Sequence, residues 1–273
     1  MIEYVFSFLQ YDFVRNALII GLSISVCCAL LGVSLVLKRF SMIGDGLSHV
    51  GFGASAVALA LGFAPLYVAI PVVIIAAFLM LRINKNSKIK GDAAIAVVSS
   101  SALAIGYMVA KLSGNVNIDI GNYMFGSIYT VTSEDMIITV VLSVMVIGLY
   151  VIFYNKLFAV TFDEEFASAT GVKTEAYNTL LACLTAVTVV VGMRMMGALL
   201  ISSLIIFPVL TATRVCKNYR AVIISSLCIS LSNFLLGLIL SVVLNTSPGS
   251  SVVVVSLVFF VIFTVVGRLI KNN

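Results

Sequence analysis

The sequence predicts an all-α, polytopic membrane bundle of about eight or nine transmembrane helices, and three observations predict it. Of the 273 residues, 62% are hydrophobic and only 10% charged, against roughly 45–50% and about 25% in soluble domains. The mean hydropathy of +1.20 belongs to the whole length, not to one anchor or signal segment. The apolar runs, such as 66–80 and 252–266, are continuous, whereas the strands of a membrane barrel alternate apolar and polar residues over about ten positions. In lipid the backbone must satisfy its own hydrogen bonds, so helices follow. The chain reads as a single transmembrane domain over 1–273.

Each crossing needs about 20 apolar residues. The runs between polar breaks then give spans near 14–37, 43–63, 65–83, 92–112, 134–155, 176–193, 195–215, 219–244 and 249–267. Ahead of them, 1–13 holds Glu3 and Asp12 among aromatics and lacks a basic n-region and a small-residue cleavage site, so it reads as an interfacial lead-in retained in the mature chain. With the N-terminus outside and the C-terminus cytoplasmic, Lys38, Arg39, Arg82, Lys85, Lys88, Lys90, Lys156, Lys173, Arg214, Lys217, Arg220, Arg268 and Lys271 fall inside. Those are 13 of the 16 basic residues; Arg15, Lys111 and Arg194 stay outside. This is the positive-inside asymmetry, and it accounts for the formal charge of +5 without a nucleic-acid partner. The short turn over 192–197, with Arg194 in it, leaves an eight-span alternative in which one flanking segment is re-entrant or broken.

Cys27, Cys28, Cys183, Cys216 and Cys228 lie within apolar stretches without metal or disulfide spacing and read as small buried side chains. The ten methionines read as core filler. Gly21, Gly32, Gly46, Gly51, Gly53 and Ser55 offer small faces for close helix approach, within the chain in the first instance. Asp92 suits a helix N-terminus. Ser99, Ser100 and Ser101 can bond back to their own helix, and Pro208 interrupts the hydrogen-bond ladder of its span.

An ionisable side chain inside a span costs roughly 2.5–3.5 kcal/mol on insertion scales and asks for a reason. The clearest case is Gly44-Asp45-Gly46-Leu47-Ser48-His49. Asp45 and His49 are spaced i,i+4, which stacks carboxylate and imidazole on one helix face. His49 is the sole histidine. The pair suits zinc, manganese or iron, could instead relay a proton, or could be a packed structural pair. One chain supplies two such ligands where a closed zinc site wants four; two copies would supply four.

The second informative region is 161–172. Asp163, Glu164 and Glu165 load the first turn of a short helix with acids, and Gly171 stops it; Phe166, Ala167 and Ala169 add apolar surface. A partner-binding helix and a solvated connector both fit. There is no Gly-x-x-x-x-Gly-Lys-[Ser/Thr] phosphate loop, no filter-like Thr-Val-Gly-Tyr-Gly run, and no nucleophile–histidine set, because the lone histidine is already committed. The chain is therefore read as a transport protein and not an enzyme.

Taken in order along the chain, the motifs carry a resemblance. Lys38-Arg39-Phe40-Ser41-Met42-Ile43-Gly44-Asp45-Gly46-Leu47-Ser48-His49 resembles the signature segment of the membrane permeases of bacterial ABC importers for zinc, manganese and iron. Arg15-Asn16-Ala17-Leu18, Gly91-Asp92-Ala93-Ala94-Ile95, Asn122-Tyr123-Met124-Phe125-Gly126-Ser127-Ile128 and Phe162-Asp163-Glu164-Glu165-Phe166-Ala167 are similar to further family segments in the same order. So are Gly197-Ala198-Leu199-Leu200-Ile201, with Pro208 after it, and Pro248-Gly249-Ser250-Ser251. The resemblance covers nearly the whole chain.

That resemblance implies a homodimeric permease in the bacterial cytoplasmic membrane, surrounded by lipid, with two cytoplasmic ATPase subunits and an extracytoplasmic metal-binding protein. ATP hydrolysis is then expected in a separate chain, and the metal is cargo, not a permanent cofactor. Asp45 and His49 would contact the ion. The coupling segment would fall within 160–175, with Asp163, Glu164, Glu165, Phe166, Ala167, Gly171 and Val172 docking on the ATPase. Gly-Asp-Gly-Leu-Ser-His followed by Val50-Gly51-Phe52-Gly53 looks more like zinc permeases than like manganese and iron relatives, which more often read Asp-Ala-[Ile/Leu]-Ser-His. Manganese or iron import, or a metal/proton carrier without an ATPase, are the alternatives. Asn245 departs from the acid that many relatives place before the Pro-Gly or Thr-Gly turn.

Overall fold

Apolar runs of this length fold as helices because only a helix pairs every backbone group within its own segment. The computed structural model describes residues 12–86, 91–113, 124–126 and 132–272, and every regular element among them is a helix. In chain order these are α1 (Asp12–Leu37), α2 (Ile43–Ala60), α3 (Pro65–Asn86), α4 (Gly91–Leu112), α5 (Ser133–Ile152), α6 (Tyr154–Phe162), α7 (Glu164–Ala169), α8 (Thr174–Met196), α9 (Ala198–Val215), α10 (Tyr219–Leu244) and α11 (Pro248–Asn272). The expected lead-in lies outside the described residues up to residue 11. So do the expected capping side chain of Asp92 and most of the 122–128 motif.

Eight of these helices are long and apolar enough to cross a membrane: α1, α3, α4, α5, α8, α9, α10 and α11. The exception is α2. The turn over 192–197 made α8 or α9 the expected place for a broken segment, yet both are continuous, of 23 and 18 residues. Gly197 permits this with φ 87° and ψ 150°, a region that is essentially glycine-only, so one residue reverses the chain. Arg194 lies beside that turn and pairs with Asp135 at 3.5 Å.

Helix ends follow a common device. Gly62, Gly171 and Asn245 have left-handed backbones, and the residue after each donates to a carbonyl five positions back: Phe63 to Ala58, Val172 to Ala167 and Thr246 to Ser241. This is the closing arrangement that glycine, and after it asparagine, suits best. The departure at Asn245 thus has a structural role at the end of α10. The end of α1 uses the same closure, Phe40 N–H to the Leu35 carbonyl at 2.8 Å, but with Arg39 at φ 62°.

The layers follow from burial. α1, α8 and α9 are mostly buried, whereas α3, α4, α5 and α11 bury only a minor share of their residues and expose many apolar side chains, among them Val97, Ile105, Val141, Val144, Val258 and Ile262. α2 lies inside, against α3, α4, α8 and α9. Glycines allow this: a Cβ on Gly53 would stand 2.4 Å from the Ala102 carbonyl oxygen, and one on Gly106 would stand 2.4 Å from the Gly53 Cα. Gly21, Gly32, Gly46 and Gly51 likewise meet atoms of this chain, as intramolecular packing requires. Ser99 and Ser100 bond back to their own helix at Ile95 and Ala96. All five cysteines are free; Cys27 and Cys28 are buried as expected, but Cys228 is exposed on the outer face of α10, where a small apolar side chain needs no partner.

Candidate functional site

α2 is an 18-residue helix whose first turn contains Asp45. Its depth in the bundle is set by small residues. Gly32 of α1 and Gly44 of α2 both approach Ile205 of α9, which places the start of α2 beside the middle of α9. Ile205 stands ten residues before Val215, the last residue of α9, or about 15 Å along its axis. Asp45 and His49 therefore lie within the bundle and not at its rim.

Within 43–54, every residue is buried except these two. Asp45 keeps 42% and His49 23% of its side-chain surface open. The His49 Nε2 stands 3.6 Å from the Asp45 Oδ2, close enough to share a ligand but longer than a good hydrogen bond. The other ring nitrogen, Nδ1, is buried without a hydrogen-bond partner. A packed structural pair would leave neither a long contact nor an orphaned nitrogen, since buried polar atoms are ordinarily satisfied. The Nε2 and the Asp45 Oδ2 are spaced to share one ligand between them.

Ser202 of α9 completes the arrangement. Its hydroxyl donates to the Asp45 Oδ1 at 3.2 Å, with the Ala198 carbonyl as a competing acceptor at 3.1 Å. Leu199 and Ile206, one turn to either side of Ser202, are likewise only half-buried, so the opening continues along α9. Sequence reasoning missed Ser202; the only signal was its position just after the Gly197–Ile201 motif. Among the described residues there is no group of three or more His, Cys, Asp or Glu that could hold a metal.

The second predicted region lies by the C-terminal end of α1, where Glu164 pairs with Lys38. Asp163 caps α7 by accepting from the Phe166 N–H at 2.8 Å; Glu164 and Glu165 occupy the first turn, where acids complement the helix dipole. Gly171 ends the segment at φ 83° and Val172 closes it. Ala167 is buried, while Phe162 and Phe166 are 64% and 65% exposed. The segment thus presents two phenyl rings beside its acids. Glu164 also pairs with Lys38 at 3.3 Å. The five residues 38–42 join α1, beside this region, to the start of α2.

α6 leads into α7 and is fixed by aromatics, with Phe158 4.8 Å from Tyr219 and 5.0 Å from Phe162 between ring centroids. The Tyr219 hydroxyl reaches Tyr150 at 3.1 Å and Ser34 at 3.4 Å. α6 is therefore firmly joined to α10 at this end, and α10 to α1 and α5.

Comparison with known proteins shows the family of the chain. The model of the family described as the ABC 3 transport family matches residues 10–267. The high-affinity zinc uptake system membrane protein ZnuB of Haemophilus influenzae is 29% identical over 93% of this chain and 97% of its own length. The manganese import system permease protein ScaB of Streptococcus gordonii is 30% identical over 95% of this chain and 93% of its own. Among solved structures, PsaBC from Streptococcus pneumoniae in complex with Fab is similar with a TM-score of 0.85 at 31% identity, over 96% of this chain and 95% of that one.

Proposed function

We propose that this chain, which belongs to the ABC 3 transport family and is the membrane permease of a metal-ion importer, passes its ion between two copies of itself, past Asp45 and His49 of each. The observation that carries this reading is the pattern on α2: twelve successive positions, 43–54, are buried except for the carboxylate and the imidazole. A twofold arrangement supplies two nitrogen and two oxygen ligands, and an ion held by flexible, half-open groups can also leave.

The ion is a divalent first-row metal. Imidazole with carboxylate suits zinc, which favours four such ligands, and also manganese, which accepts oxygen more readily. Zinc is our first assignment, on the wording of the α2 motif; manganese is the second, supported by the 30% identity to a manganese permease across nearly the full length. α7 is the coupling helix: Asp163, Glu164, Glu165 and Phe166 meet a cytoplasmic ATPase subunit, while Ala167, Gly171 and Val172 hold the helix to the permease. This reading puts the end bearing α7 in the cytoplasm and the α8–α9 turn outside, where the metal-binding protein docks.

Reconstituting the permease with its ATPase and metal-binding protein in proteoliposomes tests the reading. Uptake of zinc, manganese and iron is compared for the natural chain, Asp45→Ala and His49→Ala. Both variants should lose ATP-dependent uptake of the preferred ion. Equal uptake by all three proteins would remove the pathway, and uptake without ATP would identify a secondary carrier instead.

A further inference from the structure

A lysine side chain that is 8% exposed inside a membrane protein needs both a partner and a purpose, because a desolvated ammonium costs several kcal/mol unless paired. Lys38 has its partners from two different segments. Its Nζ donates to the Glu164 Oε2 of α7 at 3.3 Å and to the Asn178 side-chain oxygen of α8. Glu164 is 34% exposed, so the pair joins a buried cation to an acid on the accessible edge of the coupling helix.

The turn beyond Lys38 is tightly closed. Arg39 holds a left-handed backbone, which costs a non-glycine residue roughly 1–2 kcal/mol, and Phe40 bonds back to Leu35. The Ile43 N–H then bonds to the Phe40 carbonyl, and the Gly46 N–H to that of Met42. Five residues, 38–42, thus join α1 to α2, with hydrogen bonds at both ends. Asp45 is in the first turn of α2, and His49 is one turn further. Beside the lysine a cavity of about 480 Å³, lined by Phe40, Arg82, Glu164, Glu175 and Asn178 among others, lies between the start of α7 and the ends of α3 and α8. α7 therefore has room to move, whereas the 38–42 turn has little slack.

We infer that Lys38 is a positioning residue that transmits displacement of the coupling helix, through Glu164 and the closed 38–42 turn, to Asp45 and His49. When the ATPase shifts α7, the Lys38–Glu164 bond carries the shift to the start of α2, and the turn passes it on as a change in the angle of the metal pair. Asn178 keeps the ammonium solvated by an amide oxygen throughout, so it is never left bare. This inference rests on the pathway and coupling roles proposed above.

The test uses the full complex in proteoliposomes and reads metal moved per ATP hydrolysed. Lys38→Met keeps an unbranched side chain, one atom shorter, and removes the charge, and Glu164→Gln removes the acid from the more exposed side. In Lys38→Met, which leaves the docking acids of α7 in place, the ATPase should still co-purify and hydrolyse ATP; in both variants metal moved per ATP, read only for complexes that retain the ATPase, falls by about tenfold, within the usual range for coupling between two sites. The exchange Lys38→Glu with Glu164→Lys should restore most of that ratio, since the Asn178 amide can present either oxygen or NH₂. Should Lys38→Met fail to insert, Glu164→Gln and the exchange decide the matter.

An unchanged ratio in Lys38→Met or Glu164→Gln overturns the inference. So does loss of the ATPase from the complex without recovery in the exchange, which would make the pair a folding contact. The same preparation carries Asp45→Ala and His49→Ala: if those stop uptake while Glu164→Gln does not change the ratio, only the transmission role falls. If they transport normally, the pathway itself was misplaced.

Discussion

Two polar clusters lie inside this bundle and are treated in opposite ways. Ser34, Tyr150 and Tyr219 bring three hydroxyls from α1, α5 and α10 within 3.1–3.4 Å of one another, and all three residues are buried. Each group satisfies another, and nothing is left over for a ligand. Asp45 and His49 are the reverse: a 3.6 Å contact, an orphaned Nδ1 and open surface on both side chains. A low-dielectric interior penalises unsatisfied polar groups, so the closed cluster stabilises the fold and the open one subtracts from it. The difference separates a polar group that belongs to the structure from one that belongs to the function.

The largest expected effect comes from breaking the open cluster. His49→Ala and Asp45→Ala should each lower metal uptake by about a hundredfold or more, since even outer-shell partners of metal ligands are worth 10–100-fold. Thermal unfolding in detergent should show these variants at least as stable as the natural chain, because removing an unsatisfied intramembrane ionisable group relieves its insertion cost. Loss of stability along with uptake would make the pair structural, and the contrast would fail.

Next comes a packing contact one turn further along the same helix. Gly53→Val places a side chain where the Ala102 carbonyl oxygen already stands 2.4 Å from a Cβ, and overpacking of this kind costs about 1–3 kcal/mol. Insertion yield and melting temperature should fall together with uptake. The closed cluster should respond more mildly. Tyr150→Phe removes one hydroxyl from a shared set and should cost about 1 kcal/mol of stability, with uptake per folded molecule unchanged. A transport defect there would show that the closed cluster is also part of the pathway.

The sequence shows most of this contrast on one side only. A carboxylate and the lone histidine at i,i+4 stand out in a chain with 10% charged residues, and the helical face they share follows from spacing alone. The α7 segment was equally legible, because Asp163 and Gly171 are start and stop residues of recognisable chemistry. The features that were not legible depend on how helices meet. α2 has the length of a span, and only its contacts with α3, α4, α8 and α9 reveal it as the internal helix. Lys38 counted as one more loop cation; its burial arises from α7 and α8 closing over it. The Ser34–Tyr150–Tyr219 cluster joins positions 116 and 69 residues apart, beyond any local pattern. Cys228 read as buried because its neighbours are apolar, yet in a membrane helix apolar neighbours describe the outward face equally well.

Ser202 gives the smallest and sharpest test, because it touches the open cluster without belonging to it. Its hydroxyl has one proton and two acceptors at nearly equal distance, the Asp45 Oδ1 at 3.2 Å and the Ala198 carbonyl at 3.1 Å. Without an ion, donation to Asp45 partly satisfies the carboxylate; with an ion on that oxygen, the proton can turn to Ala198. The serine thus competes with the metal at modest strength and has somewhere to go when displaced. Ser202→Ala should change the metal concentration for half-maximal uptake by about two- to tenfold, the equivalent of a single net hydrogen bond. The fold should stay intact, since the Ala198 carbonyl keeps its helical donor. A loss as large as that of Asp45→Ala would make Ser202 a direct ligand and extend the open cluster onto α9. No change at all would confine it to the two residues of α2.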